Sequence, residues 1–152
     1  IGEIICKTDQ IMDGYFNREN STEDAIRDGW FYTGDAGYID EDGFLFIRDR
    51  IKDVVISGGE NIYPAEVENE LMAHSSIVDC AVIGVPDDKW GETVLAVIVI
   101  DSSDFSEIDV KAFLKSRLAG FKIPKEFKIV DALPRNAAGK VTKAQLRERF
   151  CD

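Results

Sequence analysis

Residues 47–68 read IRDRIKDVVISGGENIYPAEVE, and the fold turns on this stretch. Arg48-Asp49-Arg50-Ile51-Lys52-Asp53 is a charged junction. Val54-Val55-Ile56-Ser57 is a short β-branched strand that runs into Gly58-Gly59. Pro64-Ala65-Glu66-Val67-Glu68 then opens a helix, because proline fits the first helical turn and acids suit its positive end. A strand, a bare-backbone turn and a helix start beside a dense charge cluster suit a loop that approaches a ligand or re-aims a domain.

Upstream of the junction the pattern is that of strands. Gly2–Thr8 reads as a strand, Met12–Asn20 as turns, and Ser21–Ile26 as a short helix capped by Ser21 with Asp24 at its third position. Trp30–Tyr38 and Gly43–Ile47 alternate apolar and polar residues, and Asp42-Gly43 signals the hairpin between them. Residues 1–49 are expected to be an all-β piece with unpaired edges, too small for its own core.

Downstream, strands alternate with helices. Val67, Leu71 and His74 share a helix face. Ile77–Val85 and the nearly all-apolar Thr93–Ile100 are buried strands. Ser106 caps a helix whose stripe is Val110, Phe113, Leu114 and Leu118 and which Gly120 ends. Phe127–Val130 is a third strand, and Thr142 with Gln145 forms a capping box for a last helix that turns Leu146 and Phe150 inward. The fold class is α+β, a mixed sheet with packed helices in a domain of about 100 residues.

A net charge of −11 argues against general nucleic-acid or anionic-membrane binding. The longest apolar run, Val94–Ile100, is too short to span a bilayer. Cys6, Cys80 and Cys151 are odd in number, widely spaced and without a CxxC, which excludes a metal or redox motif and fits thiols in a reducing, cytoplasmic compartment. Residues 1–50 carry 12 acids and 5 bases, whereas residues 121–152 carry 8 bases and 4 acids, so the basic end is either solvated surface or a partner for an anionic ligand. A first residue of Ile leads us to expect a piece of something longer.

Several residues have two readings. Asp35, in Tyr32-Thr33-Gly34-Asp35, is a turn acid or an acceptor for two vicinal hydroxyls. Arg50 belongs to a solvated cluster or recognises a ligand with its guanidinium. Gly58-Gly59 is a turn between two strands or lets backbone approach a slender ligand, since no Cβ intrudes. Leu133–Val141 is a polar, flexible loop but no phosphate-binding P-loop: Pro134 stands where a first glycine belongs and Val141 follows Lys140 where Ser or Thr belongs. Its Lys140 is a surface charge or a mobile cation delivered where negative charge develops. His74, the single histidine, has no cluster of ligands at metal spacing and reads as packing or surface. Asp87-Asp88 after Pro86 reads as a turn.

The order of these motifs is more specific than any one of them. Gly29-Trp30-Phe31-Tyr32-Thr33-Gly34-Asp35, then Asp49-Arg50-Ile51-Lys52-Asp53, then SGGENIYPAEVE at 57–68, then Gly84-Val85-Pro86-Asp87 with Gly91-Glu92, then Leu133-Pro134-Arg135-Asn136 with Gly139-Lys140, closely resembles the C-terminal portion of the adenylate-forming enzymes across essentially the whole chain. The family includes acyl-CoA synthetases, aryl-CoA ligases, beetle luciferases and peptide-synthetase adenylation domains, and the wording at 57–68 resembles the acyl-CoA ligases rather than the peptide synthetases. The resemblance implies residues 1–50 as the β-rich end of a large N-terminal adenylation domain and 51–152 as a mobile C-terminal domain. It implies a carboxylic acid that attacks ATP, with Mg2+, to give acyl-adenylate and pyrophosphate, and coenzyme A that then displaces AMP. Asp35 would hold the ribose hydroxyls with Arg50 beside it, Lys140 would be the catalytic cation of the first step, Lys52 the hinge, and Gly58 and Gly59 the lining of the pantetheine tunnel. Lys122 and Lys125 are candidates for phosphate contacts. A departure is Ile56, where luciferases and plant ligases often carry lysine. The family's phosphate loop and acyl pocket are absent from these residues, so the chain alone is expected to be inactive. The alternatives are a non-catalytic module that binds pantetheine or a partner domain, and an adenylating enzyme that loads a carrier protein.

Overall fold

The structure, a computed structural model, describes residues 1–101 and 105–151. The chain divides into two compact units, Ile1–Lys52 and Asp53–Asp152.

The first unit is a four-stranded antiparallel sheet. Its strands are β1 (Gly2–Cys6), β2 (Ile26–Arg27), β3 (Trp30–Ile39) and β4 (Leu45–Arg50), and β3 pairs with each of the other three. The Asp42-Gly43 hairpin forms as its sequence predicts, with Gly43 N–H donating to the Asp40 carbonyl at 3.1 Å. The short helix expected at Ser21–Ile26 forms as α1 (Glu19–Ala25), so the unit is β-rich rather than all β. It begins two residues before the predicted start, so Ser21 lies inside it and caps nothing. Thr22 does the local work instead: its hydroxyl accepts from Tyr15 N–H at 2.9 Å and donates to the Arg18 carbonyl at 3.0 Å.

Only Ala36 and Gly37 are buried in this unit. Ile39, Phe44, Leu45, Phe46 and Ile47 all lie exposed on the β3–β4 hairpin. An apolar surface of that extent beside open strand edges promotes association. The 152-residue chain is therefore expected to sediment with a weight that rises with concentration, whereas a single monomeric species at high concentration would contradict this.

The second unit is α+β, built on a five-stranded mixed sheet. Strands β5 (Val55–Ser57) and β6 (Glu60–Ile62) form a tight hairpin, β7 (Ile77–Asp87) and β8 (Gly91–Ile100) a long one, and β9 (Glu126–Ile129) runs parallel to β8. Helices are α2 (Pro64–Met72), α3 (Glu107–Lys115) and α4 (Lys143–Phe150). Alternate residues of the long hairpin feed two separate cores. Cys80, Val82, Val94, Ala96 and Ile98 join Val67, Leu71, Val110 and Leu114 from α2 and α3. Ala81, Ile83, Leu95 and Val97 join Leu133 and Leu146 of α4 on the other face. Burial on both faces explains why Val94–Ile100 reads as an unbroken apolar run.

The caps differ in part from their sequence expectations. Ser106 accepts from Asp109 N–H at 3.3 Å as predicted. Helix α3 ends at Lys115 with Ser116 as its cap, before Gly120, which starts a short 3-10 turn. Thr142 precedes α4 but makes no side-chain cap, so no capping box forms with Gln145. No disulfide joins the cysteines among the described residues. Burial, helped by the Glu68 and Asp79 carboxylates, pushes the Cys80 thiol up to about 12, which keeps it protonated and unreactive. No helix among the described residues is long and apolar enough to cross a membrane.

Candidate functional site

In the first unit, Asp35 and Arg50 are cross-strand partners on β3 and β4. Arg50 Nε lies 2.8 Å from Asp35 Oδ1. Thr33 steadies this point: its hydroxyl donates to the Ile4 carbonyl at 2.7 Å and accepts from Asp35 N–H at 3.1 Å. A β-bulge between Ala36 and Gly37 lies next to the pair, and such bulges re-aim side chains. Arg50 thus holds the carboxylate through Oδ1. Lys52, the last residue of this unit, is exposed. On its far side Asp53 is held by Arg147 of α4 at 2.8 Å.

In the second unit, Gly58-Gly59 is the turn of the β5–β6 hairpin, with φ of 60° and 86°. Both angles lie in the left-handed region that glycine adopts without a Cβ penalty. The turn is fastened to β8: Gly58 N–H donates to the Trp90 carbonyl at 2.9 Å, and Glu92 Oε2 accepts from Ile56 N–H at 2.8 Å. The Trp90 ring lies so close that a Cβ on Gly58 would sit 2.7 Å from it, while a Cβ on Gly59 would meet nothing.

Beside this turn is a groove of about 330 Å³ lined by Gly58, Glu60, Trp90, Phe121, Ile123 and Lys125. Trp90 and Phe121 are each nearly half exposed. The Lys89 and Lys125 ammonium groups lie 4.7 and 5.7 Å from the Trp90 ring centroid. Exposed aromatic faces flanked by cations suit a planar base with an anionic tail. Trp90 and Phe121 were not singled out from the sequence as site residues; the signal for Trp90 was Asp87-Asp88-Lys89-Trp90, where an Asp at a turn binds backbone N–H groups two and three residues on.

Lys140 is elsewhere. The 133–141 stretch is no loose loop but a small hairpin-like turn. Asn136 Oδ1 accepts from the N–H groups of Ala138 and Lys140 at 3.0 and 2.9 Å, and Asn136 N–H donates to the Lys140 carbonyl at 2.9 Å. Arg135 binds the Gly139 carbonyl at 2.7 Å and Asp79 Oδ2 at 2.5 Å, which fastens the turn to the beginning of β7. The Gly58-Gly59 turn adjoins the end of β7, through Ser57 opposite Gly91 and Gly91 opposite Asp87. From Asp79 to Asp87 the strand extends roughly 26 Å at ~3.3 Å per residue. Gly58-Gly59 and Lys140 are therefore not brought together; they occupy opposite ends of one strand.

Among the described residues, six of the eight bases in residues 121–152 are paired with acids: Lys122 with Glu66, Lys125 with Asp87, Lys128 with Glu126, Arg135 with Asp79, Lys143 with Glu68 and Arg147 with Asp53. Lys122 is bound by both Glu66 oxygens at 2.7 and 2.8 Å, so it braces α2. Lys140 takes no ion pair among the described residues. His74 packs edge-on against Phe113 and its Nδ1 meets Ser76 Oγ at 2.8 Å, a structural role. No cluster of three or more His, Cys, Asp or Glu among the described residues could hold a metal ion.

Residues 66–140 match the AMP-binding enzyme C-terminal domain. The chain is 46% identical over 149 residues to the long-chain-fatty-acid–CoA ligase FadD13 of Mycobacterium tuberculosis, covering 98% of this chain and 30% of that protein. It is 48% identical over 150 residues to a feruloyl-CoA synthase of Amycolatopsis, with the same coverage of each. Among solved structures it resembles the o-succinylbenzoate CoA synthetase of Bacillus subtilis in complex with its acyl-adenylate, with a TM-score of 0.90 and 45% identity over 96% of this chain and 30% of that one. The same synthetase in complex with ATP and magnesium gives a TM-score of 0.88 at 43% identity, with the same coverage. The chain thus spans about 30% of the length of the relatives it matches. Sequence and fold agree: the chain carries the AMP-binding enzyme C-terminal domain and is similar, over nearly its whole length, to the C-terminal portion of acyl-CoA ligases.

Proposed function

We propose that this chain is the C-terminal part of an ATP-dependent acyl-CoA ligase, with residues 1–50 completing an N-terminal adenylation domain and 51–152 forming the mobile domain. The observation that carries this reading is the separation of Lys140 from Gly58-Gly59 along β7. Two functional ends on one rigid sheet suit two chemical steps that use one end each.

In the first step a substrate carboxylate oxygen attacks the α-phosphorus of ATP, forming acyl-adenylate and expelling pyrophosphate. Negative charge accumulates on the phosphate oxygens and the carboxylate, and Lys140, unpaired among the described residues, is the cation available to stabilise it. Asp35 Oδ2 accepts from the ribose hydroxyls while Arg50 holds Oδ1. Magnesium supports ATP in the whole enzyme, but its ligands are not a cluster in the described residues. In the second step the thiolate of coenzyme A attacks the acyl carbon and AMP leaves. The glycine turn lets the slender pantetheine pass, and Trp90, Phe121 and Lys125 receive the nucleotide end. Rotation about Lys52 exchanges the two ends. The free cysteines support a reducing setting such as the cytoplasm.

The test is the full-length protein with long-chain, aromatic and dicarboxylic acids. Acid-dependent pyrophosphate exchange followed by coenzyme A-dependent thioester formation is expected. Exchange with transfer only to a carrier protein would replace coenzyme A as acceptor, and saturable ligand binding without exchange would make the chain a binding module. Within this frame, Asp35→Ala is expected to raise the KM for ATP by about tenfold, the worth of roughly one charged hydrogen bond, with kcat changed less. An unchanged KM would remove Asp35 from the nucleotide site.

A further inference from the structure

Asp87 serves neither half-reaction as described, yet it bears on the groove from two sides. Its Oδ1 accepts from the N–H groups of Lys89 at 3.0 Å and Trp90 at 2.9 Å, which shapes the turn that carries the Trp90 ring. Its Oδ2 accepts from Lys125 Nζ at 2.9 Å. The Lys125 ammonium, then the Trp90 N–H, hold this carboxyl below its usual range, so it is a full negative charge at neutral pH. Of the cations on the groove, Lys125 is therefore already occupied when no ligand is present. The other acid at the groove, Glu60, makes no ion pair with it among the described residues.

An anionic group that reaches Lys125 meets a carboxylate about one ammonium's width away. It must share or displace Asp87, and like charges at that distance repel. We propose that Asp87 is an internal counter-anion that competes with the ligand's phosphate for Lys125, so that it holds the cation in place in the empty groove and keeps the bound nucleotide weakly held and quick to leave. The inference rests on the reading of the groove as the nucleotide end of the coenzyme A site. It adds a residue that lowers affinity there, opposite in sign to the contacts that raise it.

Asp87→Asn separates the two duties of this side chain. Its carbonyl oxygen keeps the N–H groups of Lys89 and Trp90, while an amide replaces the oxygen that binds Lys125. Asp87→Ser, which also supports such turns without charge, is a second variant should the first fold poorly. The probes are coenzyme A and adenosine 3′,5′-bisphosphate, titrated calorimetrically into this chain at low and high salt. Both variants are expected to bind about three- to fivefold more tightly than the unsubstituted chain, the worth of roughly one partly exposed charge pair. The gain should shrink at high salt and vanish in a Lys125→Gln background, where no cation is left to contest. Equal or weaker binding by both variants, with the unsubstituted chain still binding, would overturn the inference and leave Asp87 as a brace for the turn. If neither the chain nor its variants bind either probe, the reading of the groove itself fails, and the inference falls with it.

Discussion

Replacing Lys140 by alanine in the full-length protein is expected to lower acid-dependent pyrophosphate exchange by about 10²–10³-fold, the range for removing one preorganised group that stabilises transition-state charge. Conversion of preformed acyl-adenylate to thioester should change little. The asymmetry follows from position. Lys140 sits on a turn fastened by Arg135 to Asp79, at the opposite end of β7 from the glycine hairpin. Its ammonium is unpaired among the described residues, so alanine leaves no buried partner stranded and the fold should not suffer. The measurement pairs exchange kinetics with single-turnover thioester formation from synthetic adenylate. Equal loss in both steps would mean that one end of the sheet serves both, and no loss in either would remove Lys140 from the chemistry.

Gly58→Val should do the reverse. A valine Cβ would stand 2.7 Å from the Trp90 ring, and its backbone would be held at a φ of 60°. The left-handed conformation costs a β-branched residue about 1–2 kcal/mol, and forcing the ring aside adds about 1–3 kcal/mol. The hairpin must shift, with Trp90 and the groove it lines. Thioester formation is expected to fall about 100-fold while pyrophosphate exchange is retained. Gly59→Ala is the internal control: it meets nothing within 4 Å and bears the backbone penalty alone, so its loss should be about tenfold or less. Urea midpoints of the isolated chain separate local displacement from global unfolding. If Gly58→Val supports normal thioester formation, the glycine turn does not line the thiol's path.

The long elements of the second unit were legible because their patterns are physical requirements. β7 and β8 had to be apolar on both faces to lie between two cores, and Ser106 stood where a helix needed an acceptor. The errors fell where side chains choose among local partners. Thr22, by binding Tyr15 and Arg18, set the start of α1 rather than Ser21. Thr142 left its capping role unfilled. The short strand β6 was legible only as the second arm of a Gly58-Gly59 turn, because Glu60-Asn61-Ile62 has no pattern of its own and the paired left-handed glycines impose its pairing. The basic character of residues 121–152 left surface and ligand contact both open, because contact with Glu66, Glu68, Asp53 and Asp79 is made across sequence separations that no local window spans. Trp90 and Asp87 belong to the same class, since a tryptophan at a turn acquires meaning only once a glycine 32 residues earlier is packed beneath it.

The grip of Arg147 on Asp53 bears on how torsion is distributed along the backbone. Asp53 follows Lys52 directly, and its side chain is already tied into α4; Val55, two residues on, is buried in the larger core. If Lys52 is the hinge we propose, a twist there would reach the sheet of the second unit directly, as a crank turns the shaft it is keyed to, and a glycine at Asp53 would remove that key.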